Sequence, residues 1–147
     1  MNLYTERLIM RPLTQEDLNN VHDLHSLPET DKFNTLGIPE NIEETRSIIN
    51  EWLQNQYGPS YTFIISLKTD NTFVGIASIS NSQNAWHRGE VWYKIHKNHW
   101  CKGYATEVLK EIIRFGFEAI NLHRIEAGCA IDNIASIKVM EKAGMQL

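Results

Sequence analysis

The chain has 147 residues, 42% hydrophobic and 22% charged, enough for one domain with a sizeable core and unlike any low-complexity, collagen-like or disordered composition. A net charge of -4 argues against broad attraction to nucleic acid or to an anionic membrane, leaving only a local basic pocket open. Met1–Arg11 carries Glu6, Arg7 and Arg11 among its apolar residues, so it is neither a signal nor an anchor, and no apolar run reaches the ~18 residues that span a bilayer.

Arg7–Pro12 alternates apolar and basic residues and reads as a strand ending at Pro12. Thr14 followed by Asp17 forms a capping-box pattern and opens a first helix running to about Leu27. Pro28–Pro39, with Asp, Asn, Gly and two prolines, reads as irregular. Asn41 with Glu44 caps a second helix whose apolar face is Ile42, Ile48, Ile49, Trp52 and Leu53. Three strands follow: Tyr61–Leu67, then Phe73–Ser80 after a turn at Asp70–Asn71, then Arg88–Ile95 after a polar turn at Asn81–Ala85. They should form an antiparallel meander. The period then becomes helical, with Ala105, Val108, Leu109, Ile112, Ile113, Gly116 and Ile120 on one face of Gly103–Asn121. Arg124–Ala130 is a short strand, and Asn133–Ala143 a last helix stopped by Gly144. Antiparallel strands leading into a strand–helix–strand crossover predict an α+β, mixed α/β sheet in a single domain.

The informative stretch is His96–Val108, HKNHWCKGYATEV. It joins the end of a strand to the start of a helix, whose first N–H groups have no internal partners and carry the positive end of the dipole. Such a turn suits a phosphate or diphosphate. Gly103 admits an anion to the backbone, Ala105 keeps the next turn narrow, and Lys97 and Lys102 add positive charge. Neither Gly-x-x-x-x-Gly-Lys-Ser/Thr nor Gly-x-Gly-x-x-Gly is present, so this is neither a P-loop nor a dinucleotide fingerprint.

A second block, Asp132–Met145 with its Asn-x-x-Ser-x-x-Val-x-Glu-Lys-x-Gly spacing, follows the next strand. Together the two blocks resemble the GNAT superfamily of N-acetyltransferases. Gly103 and Ala105 meet its (Gln/Arg)-x-x-Gly-x-(Gly/Ala) pattern, with Trp100 in place of the polar residue. Trp-x-Lys-Gly-Tyr-Ala-Thr-Glu and the opening Thr5–Pro12 are similar to the branch that acetylates ribosomal-protein N-termini, the RimJ/RimL type. The resemblance implies the GNAT fold, a twisted sheet with splayed strands, and acetyl-CoA as cofactor. It also implies cofactor contacts at Lys102, Gly103, Tyr104, Ala105 and Thr106 for the diphosphate, at Tyr93, Lys94, Ile95 and His96 for the pantetheine arm and thioester carbonyl, and at Asn133 and Ser136 near the last helix. Asn133 equally caps that helix.

Acyl transfer to an amine needs proton removal from the nucleophile, stabilisation of the oxyanion and a leaving thiolate. Where many family members place a tyrosine acid in the last helix, this chain has Met140, which has no proton to give. A thiol pKa of about 8.5 leaves the thiolate only ~2 kcal/mol from stability at pH 7. Ser136 is the candidate donor, against a reading as a helix serine bonded to its own backbone. Glu90 matches a carboxylate that some members use as a base through water, against an ion pair with Arg88 or Arg11. An α-amine, pKa about 8, is easier to deprotonate than a lysine amine at about 10.4, which favours a protein N-terminus over a lysine as acceptor. A small amine such as a polyamine or aminosugar is the alternative, with Glu40, Glu43 and Glu44 either attracting a cation or serving a helix N-terminus. A further alternative is a CoA-binding regulatory domain without turnover.

His87, His96 and His99 cluster along the last strand of the meander and its loop, and their spacing forms no metal-ligand pattern. Two cysteines, Cys101 and Cys129, are too few for a disulfide framework and point to a reducing, cytoplasmic compartment. Trp52, Trp86, Trp92 and Trp100 lack the basic stripe that nucleic-acid stacking requires and read as core and cofactor-channel packing. The family continues past the last helix with further strands, so an uncovered edge along Arg124–Ala130 predicts either a homodimer or an incomplete, poorly stable domain.

Overall fold

The computed structural model describes residues 1–31, 37–81, 87–127 and 134–146. In chain order the elements are β1 (Leu3–Tyr4), β2 (Leu8–Pro12), α1 (Leu18–His25), α2 (Pro28–Asp31), α3 (Ile42–Gln54), β3 (Ser60–Leu67), β4 (Phe73–Asn81), β5 (Arg88–Ile95), α4 (Tyr104–Glu118), β6 (Arg124–Ala127) and α5 (Ile134–Lys142). Single 3-10 turns at Gln15–Asp17 and Lys97–His99 lead into α1 and follow β5. The six strands lie in sequence order in one sheet. Every neighbouring pair is antiparallel except β5 and β6, which the α4 crossover makes parallel. This is the mixed α/β sheet expected from the order of periods.

Helices cover both faces. On one, Leu8, Phe63, Ala77, Ile79 and Val91 pack against Val108, Leu109, Ile112 and Phe115 of α4 and Met140 of α5. Phe115 stands edge-on to Phe63 with ring centroids 5.5 Å apart. On the other, Ile64 and Ile76 pack against Val21 and Leu24 of α1 and Ile49 of α3. Four consecutive residues of β3, Thr62–Ile65, are therefore buried. The one polar member, Thr62, meets the Ser78 hydroxyl of β4 at 3.1 Å, so neither oxygen is left without a partner.

The caps form as their residues require. The Asp17 carboxylate accepts from the Thr14 N–H at 2.8 Å, although the turn it opens is 3-10 before α1 begins. The Asn41 side chain accepts from the Glu44 N–H at 3.1 Å, and the Glu44 carboxylate from the Glu40 N–H at 2.7 Å. At the end of α5, Gly144 has φ 91°, with Gly144 N–H bonded to Glu141 C=O and Met145 N–H to Met140 C=O, a Schellman arrangement.

Three expectations change. α1 stops at His25 rather than Leu27, where Ser26 turns the chain back onto His22 and Asp23 carbonyls. Pro28 then starts α2 inside the segment read as irregular, its fixed φ suiting a first helical turn. The two-residue β1 was unreadable because it is too short to show alternation. The strand is described as far as Ala127, and the rest of Arg124–Ala130, with Cys129 and Asn133, lies outside the described residues.

Candidate functional site

β4 accompanies β5 from Gly89, opposite Asn81, to Ile95, opposite Gly75. β6 runs beside Arg88–Val91 only, among the described residues. The far half, Trp92–Ile95, thus projects past the described part of β6. His96 N–H donates to the Val74 carbonyl of β4 at 2.8 Å. Main-chain groups alternate sides along a strand, so those of Lys94 face β4 and those of Tyr93 and Ile95 face the β6 side. Of the four residues expected to line a pantetheine arm, Tyr93 and Ile95 therefore turn their main-chain groups to that side. The Ile95 carbonyl accepts from the Trp100 indole N–H at 2.7 Å, which ties the following loop to the strand end.

That loop delivers the chain to α4. Gly103 is the N-cap, with φ 83°, and provides no capping side chain. The amides at the start of α4, Tyr104 to Thr106, have no acceptor within the helix; Glu107 N–H is the first to bond back, to the Gly103 carbonyl at 3.2 Å. A Cβ on Gly103 would lie 3.2 Å from Arg7 Nη2. Arg7 comes from the turn between β1 and β2, stacks over the Tyr104 ring at 4.4 Å and is ion-paired with Glu107. The Thr5 hydroxyl also donates to the Glu107 carboxylate, at 2.7 Å. Burial pushes the Glu107 carboxyl up, but the hydrogen bonds from Thr5 and Arg7 outweigh it and hold it below the usual range. Arg7 is the functional neighbour that sequence reasoning missed: it lay in the opening motif, but nothing local told that it reaches α4. Lys97, expected to supply charge here, instead pairs with Glu29 of α2 at 3.4 Å, whereas Lys102 is exposed. Uncapped amides, a residue without Cβ and an adjacent guanidinium, itself paired with Glu107, form a set that fits a diphosphate.

On the α4–α5 face, the Tyr93 hydroxyl donates to Ser136 Oγ at 3.3 Å. Met140 is 7% exposed and packed in the core. Glu90 is exposed on β5 opposite Glu126. The ion pairs considered for it are taken elsewhere: Arg88 binds Glu126 at 2.8 Å, and Arg11 binds Asp17. The three histidines do not cluster. His87, at the start of β5, stacks near His123 with centroids 4.8 Å apart, whereas His96 and His99 sit beyond the strand's other end, 6.3 Å from each other. Among the described residues no group of His, Cys, Asp and Glu is arranged to hold a metal ion. Glu43 pairs with Arg46 and Glu44 caps α3, so both serve the helix N-terminus.

The opposite face holds a second polar pair. Lys94 Nζ lies 3.2 Å from His25 Nε2 and 5.2 Å from the centre of the Trp92 ring. Trp52 of α3 packs beside this pair, 5.3 Å from Trp92 and edge-on to His25 at 5.9 Å. Burial pushes the Lys94 ammonium down to about 8. Burial, with the neighbouring Lys94 and His22, pushes the His25 imidazole down to about 3. No helix among the described residues is long and apolar enough to cross a membrane.

Residues 7–146 match the acetyltransferase (GNAT) domain family. The N-acetyltransferase p20 of Bacillus licheniformis is 31% identical over 147 residues, covering 98% of this chain and 82% of that one. A GNAT-family acetyltransferase crystal structure from Bacillus anthracis superposes with a TM-score of 0.86 at 30% identity, covering 99% of this chain and 84% of that one. At lower identity, where the likeness is of fold alone, come RimJ of Mycobacterium smegmatis in complex with CoA-disulfide (22%, TM-score 0.82, 96% of this chain and 72% of that one) and spermidine N-acetyltransferase of Vibrio cholerae in complex with CoA and spermine (20%, TM-score 0.83, 93% and 79%). The chain belongs to the GNAT family and is an acetyl-CoA-dependent N-acetyltransferase.

Proposed function

We propose that the chain acetylates the N-terminal α-amine of a protein, with the cofactor's diphosphate on the amides of Lys102–Thr106 and its pantetheine arm along Tyr93 and Ile95. The observation that supports the cofactor placement is the bare helix start at Gly103, next to Arg7 and following the end of β5. Bound acetyl-CoA supplies the acyl group as a thioester. The Ile95 N–H, directed to the β6 side, is the donor for negative charge on the acyl oxygen. Ser136, whose Oγ accepts from the Tyr93 hydroxyl at 3.3 Å, is the candidate proton donor to the leaving sulfur, a role that Met140 is chemically unable to fill. Glu90, exposed and outside any ion pair among the described residues, attracts and orients the incoming ammonium.

The α-amine is favoured over a lysine by its lower cost of deprotonation, about 1.4 kcal/mol against about 4.6 kcal/mol at pH 7. The Trp-x-Lys-Gly-Tyr-Ala-Thr-Glu stretch points the same way. A polyamine is less well supported, because Glu43 and Glu44 are engaged at the start of α3. The test is thiol release from acetyl-CoA with peptides bearing N-terminal Ser or Ala, then with spermidine and aminosugars. Faster turnover of spermidine than of every peptide would overturn the acceptor assignment, and CoA binding without turnover on any amine would overturn the enzymatic one. Glu90→Gln and Ser136→Ala should each slow turnover while leaving CoA affinity unchanged.

A further inference from the structure

A lysine removed from water without an anion beside it is costly, and proteins retain one where its chemistry is used. Lys94 is such a group. It points from β5 towards α1, and its polar contact there is the His25 imidazole, at 3.2 Å. Beside it lie Trp92 on its own strand and Ile76 in register on β4, with Trp52 of α3 behind His25. Among the described residues the other titratable groups near it are engaged elsewhere. His22, behind His25, bonds the Thr45 hydroxyl at 2.8 Å, and Glu29 is taken by Lys97. Glu90 shares the face but lies four residues back, about 13 Å along the strand. Among the described residues no carboxylate pairs with Lys94.

Resting on the acceptor reading above, we propose that Lys94, oriented by its hydrogen bond with His25, is the general base that takes the proton from the acceptor amine. Its position suits the task. Lys94 follows Tyr93 and precedes Ile95, the two residues whose main chain faces the pantetheine side, and its side chain leaves the sheet on the opposite, α1 face. The amine can therefore approach from the α1 side while the thioester is held in the plane of the sheet. The proton balance closes. Neutral Lys94 takes one proton from the R–NH3+ acceptor, and the freed nitrogen lone pair forms the C–N bond as the C–S bond breaks. The second N–H proton replaces the one that Ser136 gives to the sulfur, and Lys94 returns its own proton to water. Burial brings Lys94 to about 8, close to the ordinary value of an α-amine, so the transfer is nearly level in free energy. His25, buried and uncharged over the working range, accepts from the ammonium without competing for the proton.

The first test uses the full chain without any ligand: NMR titration of the lysine Nζ resonances should show one lysine near 8, well below the others, and lost in Lys94→Met. All lysines titrating in the ordinary range would overturn the proposal. The second follows kcat/KM against pH with the best peptide acceptor. The wild type should fall on the acid side with the same midpoint, and Lys94→Met should lose ~100-fold or more with CoA affinity unchanged. Lys94→Arg, which keeps the charge but does not release a proton, should be equally slow; Arg activity within about threefold of wild type would show that the charge suffices and would sink the base assignment. Lys94→Gln serves if the Met variant folds poorly. A wild type inactive on every amine rejects the acceptor reading, whereas an active wild type matched by Lys94→Met rejects this one alone.

Discussion

Substitution of Gly103 separates backbone strain from blockade of the cofactor seat. The residue has φ 83°, where a side chain other than glycine costs ~1–2 kcal/mol and asparagine rather less. An added Cβ meets only the tip of the flexible Arg7 side chain, at 3.2 Å, so the steric contribution to folding is small. At ~2–4 °C per kcal/mol for a chain of this size, Gly103→Ala should lower Tm by ~2–8 °C, Gly103→Asn by less and Gly103→Val by more. Cofactor affinity should follow a different order. Each amide bond to a phosphate that is lost costs ~1.5–3 kcal/mol, or ~10–150-fold in Kd. Both Asn and Val place atoms on the anion's approach, so both should bind CoA at least ~10-fold more weakly by calorimetry. Gly103→Asn is decisive, because it should retain most of its stability and still bind poorly. If that variant binds CoA as tightly as wild type, the α4 amides are not the diphosphate seat.

Two further outcomes follow from burial. The His25 pKa falls from 6.5 to about 3 in the folded chain, so its contribution is complete above pH 6.5 and is lost as pH falls towards 3, at about 1.4 kcal/mol per unit. Unfolding free energies from urea melts taken between pH 7.5 and 4.5 should drop by ~2–3 kcal/mol from this residue, and His25→Leu should flatten that slope; an unaltered slope refutes the buried neutral histidine. Met140→Ala should destabilise by ~2–5 kcal/mol in denaturant melts, as for other buried methionines, whereas a loss under 1 kcal/mol would mean that α5 is not anchored in the core.

The sequence announced most of the fold because its signals were local. Arg88–Ile95 was read with its observed bounds, and the Asn41 cap and the Gly144 stop each depend on residues a few positions apart. What was not legible depends on long-range contact. Arg7 reaches Glu107 across nearly the whole chain, and His25 meets Lys94 from a different layer. No periodicity encodes either pairing. The Tyr93–Ser136 bond was half visible: both residues were candidates, but Tyr93 was valued for its backbone, and only the packing of α5 on the sheet gives its hydroxyl a partner. The histidines erred in the other direction, because proximity in sequence was taken for proximity in space, and an extended strand carries its two ends about 25 Å apart.

The proposed mechanism concentrates its chemistry on β5 because a strand has three usable directions. Side chains at odd positions, Val91, Tyr93 and Ile95, face α4 and α5, and the hydroxyl of Tyr93 finds Ser136 there. Trp92 and Lys94 face α1 and α3, where His25 lies. The in-plane direction belongs to the main chain, and the described part of β6 pairs with β5 as far as Val91. In the proposed mechanism, leaving group, acceptor and thioester are served from adjacent residues without competing for space. The period of two that buries both faces of the sheet would also place the proposed acid and the proposed base on opposite faces, so the register that holds the core together would set the proton path.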